Sequence, residues 1–164
     1  PNSTSPMTGV FTVAAGTLSG TKYTVTADVE SGRKVLTVDV FVWTKEANPL
    51  VGTWHEEARI ACGTGAEETP TDPIRELLFY ASGVFNVTWT PFEVYVDYWG
   101  QYTFDREAGT ISFIPDGGNY VPEDIDGEGT FVIDEQDRLM LRDVWLGTSQ
   151  EGSGPAACGH VFSH

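Results

Sequence analysis

Short runs in which apolar and polar residues alternate follow one another along the whole chain. Residues 22–30, for example, place Tyr23, Val25, Ala27 and Val29 on one side and polar residues on the other. A period of two is typical of β-strands with one buried face, whereas an amphipathic helix repeats every 3.6 residues. Turn residues separate the runs, and long stretches with the helical period are absent from the sequence. The sequence therefore predicts an all-β protein.

A change of composition near residue 49 predicts two domains. Residues 1–48 begin with a polar linker and are rich in Thr and Gly, with strand-like runs at 9–15, 22–30 and 34–43. Residues 49–164 contain about eight strand-length runs joined by hairpin turns, and eight strands are typical of small up-and-down barrels. Such barrels either fill with side chains or hold one ligand.

The second domain carries motifs of a known family. They are Gly52-Thr53-Trp54, the spacing Phe-x-x-x-Gly-x-Phe from Phe79 to Phe85, Gly100-x-Tyr102-x-Phe104-Asp105 and Gly109-Thr110-Ile111. Over residues 50–164 these motifs resemble the bacterial lipocalin-like (calycin-type) domains of secreted and lipid-anchored proteins. The resemblance implies an eight-stranded antiparallel up-and-down barrel, with Trp54 closing its floor.

The first domain resembles a different family. Residues 20–27 read Gly-Thr-x-Tyr-x-Val-x-Ala, and a Gly turn and a Val-rich strand follow. Over residues 9–43 this pattern resembles the closing strands of bacterial immunoglobulin-like repeat domains, which need about seven strands. Only three or four are present, so the segment has three possible fates: it packs on its own barrel through Phe41 and Trp43, it is the remnant of a truncated domain, or it completes a neighbouring copy by strand addition. We therefore expect self-association or partner binding.

The charge of the chain limits its partners. Its 24 acidic and 9 basic residues give a formal net charge of −15. Nucleic acids and anionic membranes would be repelled, so neither is expected as a partner. A membrane span needs ~20 consecutive apolar residues, and the sequence has no such stretch. The charge fits solubility outside the cell, and with the family resemblances it predicts an extracellular or bacterial cell-surface protein.

The two cysteines, Cys62 and Cys158, lie at the end of the first predicted barrel strand and at the start of the last one. In a closed barrel these strands are neighbours, so a disulfide would join the two edges of the sheet. Two buried thiols are the alternative. A disulfide would imply an oxidising compartment.

Two groups of residues are candidates for metal ligands. The acidic loop contains Asp124, Asp126 and Glu128, and carboxylate-rich loops with glycine suit Ca²⁺. An acidic turn without an ion is the alternative, so no cofactor is required. His55 and His160 could also face each other between adjacent strands, with Glu57 nearby, as a two-His-one-carboxylate site.

The aromatic residues suggest the binding function. Inward positions of the predicted barrel carry candidate lining residues for a small apolar or amphipathic ligand: Trp54, Phe85, Trp89, Phe104 and Phe131. Their size also suits a barrel that is largely filled. A second cluster in sequence comprises Trp89, Phe92, Tyr95, Tyr98, Trp99 and Tyr102, which could stack on a glycan if exposed.

The sequence contains no recognisable nucleophile motif, phosphate loop or zinc spacing. We therefore predict a non-enzymatic extracellular module that binds a ligand or assembles on the cell surface. The alternatives are a carbohydrate-binding module that uses exposed aromatic residues, and a fibre subunit joined by strand donation.

Overall fold

The fold is known from a computed structural model, which describes residues 12–29, 34–90, 96–149, 152 and 157–164. Every regular element in these ranges is a β-strand, in agreement with the all-β prediction. The chain divides into two compact units, Pro1–Asn48 and Pro49–His164. Within the described ranges no helix is long and apolar enough to cross a membrane.

The first unit contains an antiparallel pair of strands, β1 (Lys22–Val29) and β2 (Lys34–Phe41). Lys22 and Thr24 on β1 both bond the carboxylate of Asp39 on β2. The strand predicted over residues 9–15 is not formed at 12–15, where Thr17 N–H donates to Ala14 O and the chain turns. Residues 9–11 of that prediction, the linker at 1–8 and the turn predicted at 31–33 lie outside the described residues.

The second unit is a nine-stranded antiparallel sheet. Its strands are β3 (Gly52–Ala61), β4 (Glu67–Glu68), β5 (Glu76–Phe79), β6 (Val84–Thr90), β7 (Val96–Asp105), β8 (Thr110–Gly118), β9 (Glu128–Ile133), β10 (Leu139–Arg142) and β11 (Ala157–Ser163). From β5 to β11 each strand pairs with the next, and both β5 and β11 pair with β3, so the sheet closes into a roughly barrel-like ring. The short β4 pairs only with β3 among the described strands.

Aromatic side chains fill the inside of this ring. The rings of Phe79 and Tyr102 have centroids 4.8 Å apart, and those of Phe85 and Phe113 are 5.0 Å apart. Both pairs meet edge to face, the geometry that the quadrupoles of aromatic rings favour. These rings belong to one continuous buried cluster that includes residues of every strand from β3 to β11 except β4.

Trp54 occupies the end of the ring where β3 begins and β5 ends. Its side chain is fully buried, its Nε1–H donates to Leu50 O at 2.7 Å, and its ring lies 3.8 Å from that of His164. The chain enters β3 through Gly52 at φ +147°, and a Cβ there would lie 3.3 Å from the His164 ring. The backbone at Gly52 therefore suits glycine, and Trp54 packs at this end of the core.

A β-bulge in β3 divides the residues that alternation predicts on one side of that strand. Alternation predicts that Trp54, Glu56, Ala58 and Ile60 share one side. All four are buried, but the pairing with β11 advances by two residues on β3, from Ala58 to Glu56, for one residue on β11. An extra residue shifts the alternation, so Ala58 and Ile60 pack in a second small cluster outside the main core. The shift also brings the side chain of Arg59 onto Glu56.

Candidate functional site

A buried carboxylate and a buried imidazole meet where β3 and β11 close the ring. Glu56 Oε1 and His160 Nδ1 are 2.5 Å apart, and neither side chain is exposed to solvent. Glu56 Oε2 accepts the Ile74 N–H at 2.8 Å, and His160 Nε2 accepts the Leu146 N–H at 3.2 Å. Since Nε2 accepts a hydrogen bond, the proton of this neutral imidazole lies on Nδ1, and the Nδ1–H donates a hydrogen bond to Glu56.

Arg59 extends this pair towards the surface. Its Nε lies 3.2 Å from Glu56 Oε1, and its Nη1 lies 3.3 Å from Asp72 Oδ1. Its guanidinium also stands 5.2 Å from the ring of Trp145, which stacks on His160 at 4.9 Å. Asp72 in turn accepts a hydrogen bond from Ser149 Oγ. The network therefore ties β3 and β11 to two loops at one end of the ring.

Electrostatics favour the ionised form of Glu56. Burial alone raises the pKa of this carboxyl, but the hydrogen bond from His160, the charge of Arg59 and the Ile74 N–H together hold the pKa below its usual range. The carboxylate is thus paired and hydrogen-bonded, as a buried charge must be. Because the Leu146 N–H occupies His160 Nε2, this imidazole has no free lone pair with which to take a proton from a substrate.

A cleft of about 250 Å³ opens at the end of the ring where β6 ends and β7 begins. Its walls come from the loop before β5, the end of β6, the start of β7 and the segment after β10: Thr71, Asp72, Pro73, Arg75, Trp89, Thr90, Val96 and Ser149. Trp54 lies at the opposite end of the ring. The cleft is therefore separate from the Trp54 end and borders the Arg59–Asp72 network.

Two residues of the wall, Trp89 and Arg75, carry side-chain N–H donors without a partner among the described residues. Trp89 is 6% exposed, and its buried Nε1–H has no hydrogen-bond partner within the described part of the chain. Arg75 is exposed, and no carboxylate of the described residues forms an ion pair with its guanidinium. A buried donor without an acceptor costs about 1–3 kcal/mol, so such groups are rare in native proteins.

The predicted lining residues lie in the filled core. Trp54, Phe85, Trp89 and Phe131 are buried members of the main cluster, and the half-buried Phe104 packs against it. Phe104 and Phe131 contact each other edge to face at 5.8 Å. Only Trp89 of this set lines the cleft described above, while Phe104 borders a second cleft, at the end of the ring where β8 begins.

Most of the second predicted aromatic cluster is also internal. Trp89, Tyr98 and Tyr102 are buried, and Tyr98 donates its hydroxyl proton to Leu146 O at 2.7 Å. Trp99 is the exception at 45% exposure. Phe92 and Tyr95 lie outside the described residues. Among the described members of this cluster, Trp99 is therefore the one exposed ring on which a glycan could stack.

The candidate calcium ligands do not converge. Asp124 accepts hydrogen bonds from Trp145 Nε1 at 3.0 Å and from the Thr148 N–H at 2.9 Å. Burial raises the pKa of Asp124, but the hydrogen bond from the Thr148 hydroxyl, with the bonds from the Thr148 N–H and Trp145, holds this pKa below its usual value. In the described ranges, which include Asp126 and Glu128, no three His, Cys, Asp or Glu side chains are grouped to hold a metal ion.

The predicted histidine pair is separated. His55 is exposed and its Nδ1 contacts Arg75 O, whereas His160 is fully buried against Glu56 rather than Glu57. The strand register explains this, because His160 lies opposite Arg59 and His55 lies opposite Ser163. The proposed two-His-one-carboxylate arrangement is therefore wrong.

The cysteine prediction agrees with the structure. Cys62 and Cys158 form a disulfide with a Cα–Cα distance of 5.0 Å, next to the pairing of β3 with β11. Sequence reasoning missed the cleft residues Asp72, Arg75 and Ser149, which have no motif spacing. It did place Glu56 among apolar residues of β3, and a carboxylate on the apolar side of a strand is a usable signal of a buried ion pair.

Comparison of the chain with family models, with characterised proteins and with solved structures finds no match. The closed antiparallel ring and the disulfide are therefore shown by the structure alone. The lipocalin-like and immunoglobulin-like resemblances stay predictions from the sequence.

Proposed function

We propose that this chain is a non-enzymatic extracellular binding module, which takes a small ligand in the cleft beside Trp89. The observation that carries the proposal is an open cleft at one end of the ring, with Trp89 and Arg75 in its wall. The cleft of about 250 Å³ is smaller than the ~300–1,000 Å³ pockets of drug-sized molecules, so the ligand is small.

The packing of the core supports this location over the interior of the ring. The core aromatic rings contact one another at centroid distances of 4.8–5.8 Å, so an internal ligand would have to displace packed side chains. The Glu56–His160 pair is enclosed and its Nε2 is occupied, which favours a structural role over acid–base catalysis. The disulfide is consistent with an extracellular location.

Thermal unfolding in the presence of small polar compounds tests the proposal. A ligand that binds the folded state stabilises it by RT ln(1 + [L]/Kd), about 2.7 kcal/mol at a concentration of 100 Kd. We expect compounds that raise the melting temperature of the wild type to lose this effect in Trp89→Phe and to keep it in Phe104→Leu, a control on the opposite side of the core. Stabilisation that disappears only in Phe104→Leu would place the ligand elsewhere and contradict the proposal.

A second candidate function is glycan binding on the outer face of the ring. Trp99 is 45% exposed, and its indole lies over Gly117, where an added Cβ would be 3.4 Å from Trp99 Cζ2. An indole lying against the sheet with one face towards solvent is a surface on which a sugar ring can stack. Trp99→Ala should abolish retention on an immobilised oligosaccharide array, while Tyr80→Ala, which removes another exposed ring, should not. Equal retention of wild type and Trp99→Ala would eliminate this candidate.

A further inference from the structure

The outer face of the ring carries no charged side chain where the middle parts of β6, β7 and β8 lie side by side. Residues 49–164 as a whole are strongly acidic, with 20 Asp and Glu residues against five arginines and no lysine. A surface without charge on so acidic a unit favours a partner that is itself uncharged. This region, here called the uncharged face, consists of two rows of cross-strand neighbours: Asn86, Trp99 and Gly117, and Val84, Gln101 and Ile114.

Trp99 supplies a flat apolar surface within the uncharged face. The register of β7 against β8 shifts beside it, so Asp116 is an extra residue on β8 and Gly117 lies opposite Trp99. Because Gly117 has no side chain, the indole lies directly against the backbone, at the distance where an added Cβ would touch it. The indole is still 45% exposed, so part of its surface is open to a ligand. The C–H face of a pyranose ring matches such a surface in size and polarity.

Two primary amides flank the indole. Asn86 lies directly opposite Trp99 on β6, and side chains in such cross-strand pairs have Cβ atoms ~4.5–5.5 Å apart. Gln101 is exposed and lies two residues further along β7, on the same side of the strand. Asn86 Oδ1 accepts a hydrogen bond from the Thr88 hydroxyl at 2.7 Å, so the NH2 group of Asn86 is the part of this amide left for a ligand. Amides donate hydrogen bonds to hydroxyl groups and accept them without adding charge.

Resting on the second candidate function above, we infer that the uncharged face binds an uncharged pyranose glycan. The sugar ring stacks on Trp99, and its hydroxyl groups form hydrogen bonds with the amides of Asn86 and Gln101. The nearest charges along the sheet are carboxylates: Asp97 precedes Trp99 by two residues, and Asp116 lies in the bulge. They repel sugar acids and sulfated sugars, whereas a neutral sugar meets no such repulsion.

A second copy of the chain is a less suitable occupant of the uncharged face. It would bring another acidic ring against the carboxylates that border this face, and like charges brought together at an interface oppose association. The face also combines one flat ring with amide groups rather than a continuous apolar surface. An uncharged, hydroxyl-rich ligand therefore fits both its charge and its composition.

The test uses the ¹⁵N-labelled full chain and two pairs of sugars that differ only at C6. The methyl β-glycosides of glucose and galactose are compared with those of glucuronic and galacturonic acid, while the indole N–H resonances are followed. Loss of a resonance in Trp99→Phe assigns Trp99. We expect at least one neutral sugar to shift this resonance in a saturable manner with a millimolar Kd, as suits so small a ligand. The Trp54 resonance should stay constant, because its N–H bonds Leu50 O inside the core.

Charge and hydrogen bonding are separated by two comparisons. The acidic partner of the binding sugar should bind about threefold more weakly or worse, and this difference should shrink as salt screens the carboxylates. Gln101→Met keeps the length of the side chain without its amide and should weaken binding of the neutral sugar about two- to tenfold, as expected for one lost neutral hydrogen bond. Gln136→Met makes the same change at an exposed position between β9 and β10 and should bind as the wild type does.

The contrary results distinguish the parts of the inference. If a sugar acid binds as tightly as its neutral partner, the uncharged ligand class is wrong while glycan binding at Trp99 remains. If Gln101→Met binds the neutral sugar as the wild type does, the hydrogen bond assigned to Gln101 is wrong. If no sugar moves the Trp99 resonance, both this inference and the glycan candidate fail. If the resonance then shifts with protein concentration alone, the uncharged face joins copies of the chain instead.

Discussion

The ionised side chain of Glu56 lies buried where β3 and β11 close the ring. Its carboxylate is withdrawn from solvent and shared by His160, Arg59 and the Ile74 N–H. Removing one partner of such a buried pair leaves the others uncompensated, which typically costs about 3–5 kcal/mol. We therefore expect Glu56→Gln to lower the free energy of unfolding by about that amount in urea titrations. Glu57→Gln, at the exposed neighbouring position, should stay within ~0.5 kcal/mol of wild type.

The same residue predicts a dependence of stability on pH. The pKa of Glu56 is lower in the folded protein than in the unfolded chain, where it is ~4.3. Its contribution is therefore present above pH ~4.3 and is lost as the pH falls through the folded value. Urea titrations between pH 6 and pH 3 should show a steeper loss of stability in wild type than in Glu56→Gln. Parallel curves for the two proteins would exclude Glu56 as a source of acid sensitivity.

Trp54 gives a second prediction at the level of single residues. Its side chain is fully buried and hydrogen-bonded to Leu50 O. Trp54→Ala should cost about 3–5 kcal/mol, as other large-to-small core substitutions do. Trp99→Ala, which removes a half-exposed ring, serves as the matched control and should cost much less. A loss below ~1 kcal/mol for Trp54→Ala would mean that this ring is peripheral.

Single residues were predictable from the sequence where one strand defines their surroundings. Trp54 and Phe85 follow from alternation alone, and both are buried. The contact between Asp72 and Ser149 was not predictable, because this hydrogen bond joins positions 77 residues apart in two loops. Loop contacts of this kind depend on how the whole ring closes, which no local pattern of residues encodes.

At the level of elements, the disulfide secures the pairing of β3 with β11. It closes a loop of 96 residues, and crosslinking a loop of that size stabilises the folded state by about 4–5 kcal/mol in the chain-entropy model. Under denaturing, non-reducing conditions we expect a thiol assay to detect no free cysteine. The double variant Cys62→Ser/Cys158→Ser should fold but melt at a lower temperature. Two reactive thiols in the wild type would contradict the disulfide.

The bulge in β3 shows why element boundaries were easier to predict than side-chain directions. The start of β3 at Gly52 follows from the turn and the alternating run after it. A bulge, however, is set by the register against β11, which lies about a hundred residues away in sequence. The sides of the sheet on which Ala58 and Arg59 lie therefore could not be predicted from the sequence of β3 alone.

For the whole molecule, we predict that β1 and β2 of the first unit cause self-association. Within the described residues, β1 and β2 pair only with each other. Leu36 is 50% exposed and Val38 is 61% exposed, so the hairpin carries apolar surface as well as open strand edges. Light scattering should show concentration-dependent association of the full chain, reduced in Val38→Lys and retained in Thr26→Lys, which changes another exposed position of the hairpin. A wild type that stays monomeric at high concentration would exclude an assembly role.

The all-β class and the closed antiparallel ring were predictable because alternation and turn residues recur along the chain. The filled interior was suggested only as one alternative, since the sequence gives the size of side chains such as Phe79 and Phe113 but not how they interlock. The cleft was not predictable, because its wall combines a strand end, a strand start and two loops.

The central claim is that ligands bind at the cleft beside Trp89 and Arg75 rather than inside the ring. The most direct measurement is a crystal structure of the full chain soaked with the small polar compounds that raise its melting temperature. We expect ligand density in the cleft, in contact with Trp89 and Arg75, and none inside the ring. Ligand density among Phe85, Phe113 and Phe131, with the cleft empty, would contradict it.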